Sequence, residues 1–168
     1  MNPASAQPTP VGSTRDADGR LIELVFDSAP APQAAGCDAW LIAVDSSDNA
    51  LRAVAFAAGQ TGSRDPCALH LVHIQPWLSK EAAEVQLASH ALAATAPARA
   101  LLDGRGLPWR LIAAMGEPAS AILELGRRLN AKGIVIGSRG LNTVESLLFG
   151  SVAYKVLHLS PVPVLVVP

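Results

Sequence analysis

Short apolar runs alternate along this chain with longer stretches in which apolar residues recur every three or four positions. A run of about four to eight apolar residues bounded by Gly, Pro or Asp predicts a buried strand, and the longer spacing predicts a helix with one buried face. The predicted strands are residues 40–44, 68–74, 109–114, 133–136 and 162–167. The predicted helices are residues 50–58, 80–102, one that opens at Pro118, and 151–159.

Strands that alternate with helices form parallel βαβ units with right-handed crossovers. The pattern therefore predicts an α/β fold, a single doubly wound five-stranded parallel sheet with helices on both faces. The composition agrees with this prediction, because 50% hydrophobic but only 4% aromatic residues provide aliphatic side chains for a sheet that is buried on both sides.

The N-terminal segment has a different pattern. Its first ten residues contain three prolines, and the polar residues between and after them favour a disordered arm. The run LIELVF at 21–26 offers the alternative of a short edge strand, and two further prolines follow it. We therefore divide the chain into an N-terminal arm, residues 1–36, and one domain, residues 37–168.

Charge and composition exclude several classes of function. A net charge of −1 argues against a dedicated nucleic-acid-binding protein, because a phosphate backbone needs a basic face. The apolar runs fall far short of the roughly 20 residues of a bilayer-spanning helix, and the N-terminus lacks the apolar core of a signal peptide. We therefore expect a cytoplasmic protein without nucleic-acid or membrane partners.

Cys37 and Cys67 lack zinc-ligand spacing, so we expect reduced thiols and no metal site, with a disulfide under oxidation as the alternative.

A glycine pattern directly follows the fourth predicted strand. Gly137 and Gly140 are separated by two residues, and nine more residues precede Gly150 and Ser151, which open the last predicted helix. Ligands of open α/β sheets bind at the carboxyl ends of the strands, and the first turn of a helix offers unpaired N–H groups to phosphate. The spacing therefore predicts an anion site, to which Arg139 adds a positive charge. The alternative is that these glycines are ordinary turn residues.

Other nucleotide motifs are absent. The Gly-Lys-(Ser/Thr) ending of a P-loop does not occur. A dinucleotide site would have its glycines after the first strand, where this chain instead has DSSD at 45–48.

The glycine pattern closely resembles that of the universal stress protein family. Nucleotide-binding members of that family carry Gly-x2-Gly-x9-Gly-(Ser/Thr), which residues 137–151 match in full. The segments AVDS at 43–46, LVHI at 71–74 and SPVPVLVV at 160–167 are also similar to the family, so the resemblance covers about residues 38–168. It implies an adenine nucleotide alpha hydrolase-like fold that binds an adenine nucleotide, usually ATP, with or without Mg²⁺.

The resemblance also implies a role for each matching residue. Asp45 would contact the nucleoside, although its alternative is a helix cap, and Ile74 would offer backbone groups to the adenine edge. The remaining implied contacts are Ala43 and Ile136 around the base and sugar, and Gly137, Gly140, Gly150 and Ser151 on the ribose and phosphates.

The resemblance further implies a stress-response regulatory protein. Members form homodimers, often by pairing the last strand across a two-fold axis, which here would run from Val162 to Val167. An unidentified protein partner is a further expectation. Two alternatives remain open, namely a slow ATPase that uses the same site and a protein-interaction module with a vestigial pocket.

Overall fold

The apolar runs form strands that end where glycine, proline or acidic residues begin. The computed structural model describes residues 8–33, 39–61, 68–141 and 149–168. In chain order the elements are β1 (Gly12–Arg15), β2 (Leu21–Asp27), β3 (Ala39–Ala43), α1 (Asp48–Gln60), β4 (Ala68–Gln75), α2 (Lys80–Gly104), β5 (Trp109–Met115), α3 (Pro118–Arg128), β6 (Gly133–Gly137), α4 (Ser151–Leu159) and β7 (Val164–Val167). Both cysteines lie outside the described residues.

The strands of the described ranges form one sheet in the order β1-β2-β5-β4-β3-β6-β7. The five strands from β3 onward are parallel to one another, whereas β2 pairs antiparallel with both β1 and β5. The prediction of a five-stranded, wholly parallel sheet is therefore wrong, because the sheet has seven strands and mixed direction. β1 reads GSTR and is mostly exposed, so no apolar periodicity marks it as a strand.

The extra hairpin, β1 and β2, is joined to both layers of the domain. On the backbone, β2 pairs with β5 from Glu23↔Ala114 to Asp27↔Arg110. Leu24 and Phe26 are buried among the core residues of the domain. The side chain of Glu23 accepts a hydrogen bond of 2.6 Å from Arg128 at the end of α3. β2 therefore lies inside the sheet, between β1 and β5.

Helices cover both faces of the sheet, as predicted. α1 and α2 pack on one face, where buried residues of all the central strands meet Val54, Leu87 and Leu102. α3 and α4 pack on the other face, around Ile122 and Val156. In the described ranges no helix is long and apolar enough to cross a bilayer.

The order of the parallel strands reverses at β3, which lies between β4 and β6. The chain leaves β3 for α1 on one face and leaves β6 for α4 on the other face. Such a reversal opens a crevice at the carboxyl ends of the two strands, and ligands of doubly wound sheets bind there.

Candidate functional site

A cavity of about 420 Å³ lies at this crevice. Its volume falls in the range of small-molecule sites, about 300–1,000 Å³. All of the residues that the sequence nominated for ligand binding line this one cavity: Ala43, Asp45, Ile74, Ile136, Gly137, Arg139, Gly140, Gly150 and Ser151. Residues from three strands, the loops that follow two of them and the start of α4 thus meet at one place.

Asp45 joins the two loops that border the cavity. Its Oδ1 accepts hydrogen bonds from the backbone N–H and the hydroxyl of Ser47, at 3.1 and 2.5 Å. Its Oδ2 accepts one of 3.2 Å from the N–H of Leu141, in the loop after β6. The N-cap of α1 is Ser47, whose hydroxyl accepts from Ala50 N–H. Asp45 is therefore not the helix cap itself, and its carboxylate instead orients the cap and bridges the two loops.

Two glycines allow close contacts within the protein, a reason that sequence reasoning missed. A Cβ built on Gly140 would lie 2.5 Å from Asp45 Oδ2. A Cβ built on Gly137 would lie 2.8 Å from the backbone carbonyl carbon of Asn49, at the start of α1. A larger residue at Gly137 would press against the backbone of α1, and one at Gly140 would displace either the carboxylate of Asp45 or the loop after β6.

The first turn of α4 presents backbone donors to the cavity for which the described residues provide no acceptor. Gly150 is the N-cap, has no side chain with which to cap the helix, and donates its own N–H to the carbonyl of Ser138 at 2.7 Å. The amides of residues 151–153 donate to no acceptor in the described part of the chain, and all three residues line the cavity. Unpaired amides and the positive end of the helix dipole together favour an anion. Arg139, also on the cavity wall, is exposed and adds a formal positive charge.

The backbone of Ile74 forms the opposite wall. β3 and β4 pair only as far as Ala43↔Val72, after which β3 diverges. Val72 directs its carbonyl to β3, where it accepts from Val44, whereas the carbonyl of Gln75 accepts from Gly116 on the β5 side. Because backbone groups alternate between the two neighbours of a strand, the N–H and C=O of Ile74 face the space that β3 has left.

The side chain of His73 contacts the backbone just after the end of β3. Its Nδ1 lies 2.9 Å from the carbonyl oxygen of Val44, which a neutral imidazole protonated at Nδ1 can hold. Burial lowers the pKa of His73, so the neutral form predominates near pH 7. This contact fixes the end of β3 immediately before Asp45.

Ser138 supports the site from behind and α3 lines it, and the sequence identified neither role. Ser138 is buried, accepts a hydrogen bond of 3.0 Å from Asn49 Nδ2, and donates its N–H to the carbonyl of Val167 at 2.7 Å. Pro118 and Ile122 of α3 give the cavity an apolar side. The helix signal at Gly116-Glu117-Pro118 predicted α3, but only the packing of α3 against β4 brings these residues to the cavity.

The described residues contain no group of three His, Cys, Asp or Glu side chains that could hold a metal ion. A divalent ion at this cavity would therefore depend on ligands from a bound molecule in addition to protein oxygens. Carboxylate and phosphate oxygens are the ligands that Mg²⁺ prefers.

Comparison with known proteins identifies relatives of the domain. The model of the universal stress protein family matches residues 39–168. The stress response protein NhaX of Bacillus subtilis is 30% identical over 124 residues, which are 74% of this chain and 70% of that protein. A universal stress protein of Thermus aquaticus is 36% identical over 132 residues, 76% of this chain and 96% of that protein.

Solved structures show the same fold, and several hold nucleotides. A universal stress protein in complex with cAMP is 27% identical, with a TM-score of 0.61 over 78% of this chain and 97% of that chain. Two more distant structures share the fold, one from Archaeoglobus fulgidus with dAMP and one from Arabidopsis thaliana with AMP. The first is 23% identical with a TM-score of 0.56, over 79% of this chain and 98% of that chain. The second is 17% identical with a TM-score of 0.57, over 77% of this chain and 90% of that chain.

Proposed function

This chain belongs to the universal stress protein family, and from that premise we propose that it is a cytoplasmic stress-response regulator that binds an adenine nucleotide. The observation that carries the proposal is the arrangement of the cavity. The carboxylate of Asp45 lines it together with the amides of residues 151–153, which donate to no acceptor in the described part of the chain. A nucleoside has hydroxyl donors and a nucleotide has an anionic phosphate, so one molecule can satisfy both groups.

The apolar part of the cavity supports an adenine base. Ala43, Ile74 and Ile136 provide aliphatic surface. The backbone N–H and C=O of Ile74, which face the space beyond the end of β3, match the donor and acceptor on the edge of adenine. Structural neighbours bind cAMP, dAMP and AMP. This combination of an apolar slot with a few convergent polar groups is usual for small-molecule sites.

We propose ATP with Mg²⁺ as the ligand. Among the described residues that line the cavity, the formal charges are those of Asp45 and Arg139. A triphosphate carries far more negative charge than one arginine and one helix terminus compensate, so a divalent ion on the phosphates would complete the neutralisation. ATP binding should therefore depend on Mg²⁺ more strongly than AMP binding does.

Titration calorimetry on nucleotide-stripped protein tests the proposal. The ligands are ATP with Mg²⁺ and AMP, and GTP serves as the control with a different base. We expect Asp45→Asn to weaken adenine-nucleotide binding about tenfold or more, because hydrogen bonds to a charged group contribute about 1.5–3 kcal/mol. Asp48→Asn is the matched control, since Asp48 begins α1, is exposed and does not line the cavity.

Several outcomes would decide against this function. Intact protein that binds no adenine nucleotide at millimolar concentration would favour the interaction module with a vestigial pocket. Equal affinities of the intact chain and Asp45→Asn would contradict the role of this carboxylate. Steady phosphate release from ATP that Asp45→Asn abolishes would instead support the slow ATPase.

We also propose that the protein acts as a homodimer through the outer edge of β7. This strand ends the sheet in the described part of the chain, and it begins at Val164 rather than at the predicted Val162. The hydroxyl of Ser160 accepts from the N–H of Val162 and donates to its carbonyl, which turns the chain before the strand starts. A regulator could then report nucleotide binding to a protein partner through a two-fold assembly.

A further inference from the structure

The hairpin of the arm carries a well-ordered turn, residues 16–20. The carboxylate of Asp16 accepts hydrogen bonds from the backbone N–H groups of Asp18 and Arg20, at 3.0 and 2.9 Å. Its second oxygen lies 3.2 Å from Nε of Arg20. Gly19 has a φ of +75°, a conformation that glycine adopts without strain. The turn therefore holds the guanidinium of Arg20 and the carbonyl of Asp18 in fixed positions.

This turn, residues 16–20, contacts the segment between β4 and α2. Arg20 Nη1 donates to the carbonyl of Leu78 at 3.4 Å, and its guanidinium lies 5.5 Å from the ring centroid of Trp77. Lys80, the first residue of α2, donates from Nζ to the carbonyl of Asp18 at 2.9 Å. These contacts tie Trp77, Leu78 and Lys80 to the arm.

The segment that the turn holds continues directly from the cavity wall. Ile74, Gln75 and Pro76 line the cavity, and Trp77 and Leu78 follow them in the chain. The end of β5 holds the other side of the same segment. Gly116 N–H donates to the carbonyl of Gln75 at 3.0 Å, and Leu78 N–H donates to the sulfur of Met115 at 3.4 Å. The wall is thus fixed between β5 and the arm.

We propose that the arm turn, residues 16–20, is a clamp on the base-side wall of the cavity, so that arm docking and nucleotide binding stabilise each other. This inference rests on the proposed adenine-nucleotide function. The arm precedes the family match, which begins at residue 39, so the clamp is an addition of this chain to the family domain. Coupling between two binding events is reciprocal. Bound nucleotide must therefore stabilise the docked arm by the same free energy by which the docked arm stabilises nucleotide binding.

The clamp can be separated from the structural role of the hairpin. The buried side chains of β2 and its pairing with β5 anchor the arm without help from the turn. Arg20 contacts the segment through partly exposed groups at the surface, and such contacts contribute little to global stability. Changing Arg20 should therefore loosen the cavity wall and leave the sheet intact.

Nucleotide titration of full-length variants tests the clamp, with AMP and with ATP and Mg²⁺ as probes. Arg20→Ala should weaken binding about three- to tenfold with little change in thermal stability, and Arg20→Lys should recover part of the loss because it keeps the cation. Arg128→Ala is the matched control, since this arginine also contacts the arm, through Glu23, but does not touch the cavity wall. We expect that control to bind nucleotide within about twofold of the intact chain.

Proteolysis provides a second measurement. If the arm had only a structural role, adding nucleotide would not change its relative rate of cleavage. Saturating AMP should slow tryptic cleavage after Arg20 at least twofold relative to cleavage after Arg99, which lies inside α2 and is cut only when that helix unfolds. Equal binding by Arg20→Ala and the intact chain, or equal relative cleavage with and without AMP, would overturn the clamp alone. Failure of the intact chain to bind any adenine nucleotide would instead remove the proposed function and the clamp with it.

Discussion

At the residue scale, the backbone at Gly140 lies close against the carboxylate of Asp45 because glycine has no side chain. Asp45 Oδ2 accepts from the N–H of Leu141, so the chain after Gly140 runs directly over the carboxylate. An added Cβ on Gly140 would lie 2.5 Å from that oxygen, far inside contact distance. At this position, therefore, a larger residue would have to move the carboxylate or the loop, and the shape of the cavity depends on the glycine.

Gly140→Ala should lower adenine-nucleotide affinity at least tenfold, because the methyl group displaces the carboxylate or the loop that carries Arg139. The fold should remain, since Gly140 is exposed and lies outside the elements of the sheet. Calorimetry and circular dichroism measure the two properties. Gly59→Ala is the matched control, because nothing lies near its Cβ and it is in α1, where alanine should stabilise by about 0.5–1 kcal/mol. Normal binding by Gly140→Ala would show that the carboxylate position is unimportant.

At the scale of elements, the start of α3 depends on one carboxylate. Glu117 is the N-cap and accepts hydrogen bonds from the hydroxyl and the N–H of Ser120, at 2.6 and 2.9 Å. Lys155 of α4 lies 3.4 Å from its other oxygen. These hydrogen bonds, followed by the charge of Lys155, lower the pKa of Glu117 to about 2. The cap therefore links the two helices that form one side of the cavity.

Glu117→Gln should destabilise the protein at neutral pH by about 0.5–1 kcal/mol, since an N-cap contributes about that much and the exposed pair with Lys155 adds little. The pKa falls on folding from 4.5 to about 2. The stabilisation is therefore complete above the unfolded pKa and is lost as the pH falls toward the folded value. Urea unfolding of both proteins at pH 7 and pH 3 measures this, and the difference should shrink at pH 3. Glu124→Gln on the same helix is the control, since Glu124 is exposed and pairs with Arg127 at the surface; it should leave the free energy of unfolding unchanged at both pH values.

The elements that the sequence predicted share a local pattern of apolar residues, and the strand that it missed, β1, lacks this pattern. The strands from β3 onward are apolar runs, and α1 to α4 have apolar residues at helical spacing, so all were predicted to within a few residues. β1 is a polar strand that exists because its backbone pairs with β2, a long-range condition that periodicity does not encode. The glycine spacing predicted the position of the cavity. It did not predict the wall formed by Pro118 or the turn at Arg20, because those depend on tertiary packing.

At the scale of the whole molecule, the two ends of the sheet differ. One end is β1, a short and exposed strand that covers β2. The other end is β7, an apolar strand with half-buried side chains and no strand on its outer side in the described residues. Next to β7, Leu157 and Leu159 of α4 are 41% and 67% exposed. An apolar edge beside exposed leucines promotes association, and for this reason we propose this end as the surface for a second copy.

The direction of the backbone groups in β7 makes this association testable with one substitution. The carbonyls of Pro163 and Val167 accept from β6, so by alternation Val164 and Val166 direct their N–H groups away from the sheet. Val166→Pro removes an outer donor but no hydrogen bond to β6, and proline is tolerated on an edge strand. We expect it to convert a dimer to a monomer in light scattering, whereas Val166→Thr, which keeps the N–H and the branched side chain, should remain dimeric. A monomeric intact chain, or a Val166→Pro variant that dimerises as strongly as the threonine control, would place the assembly surface elsewhere.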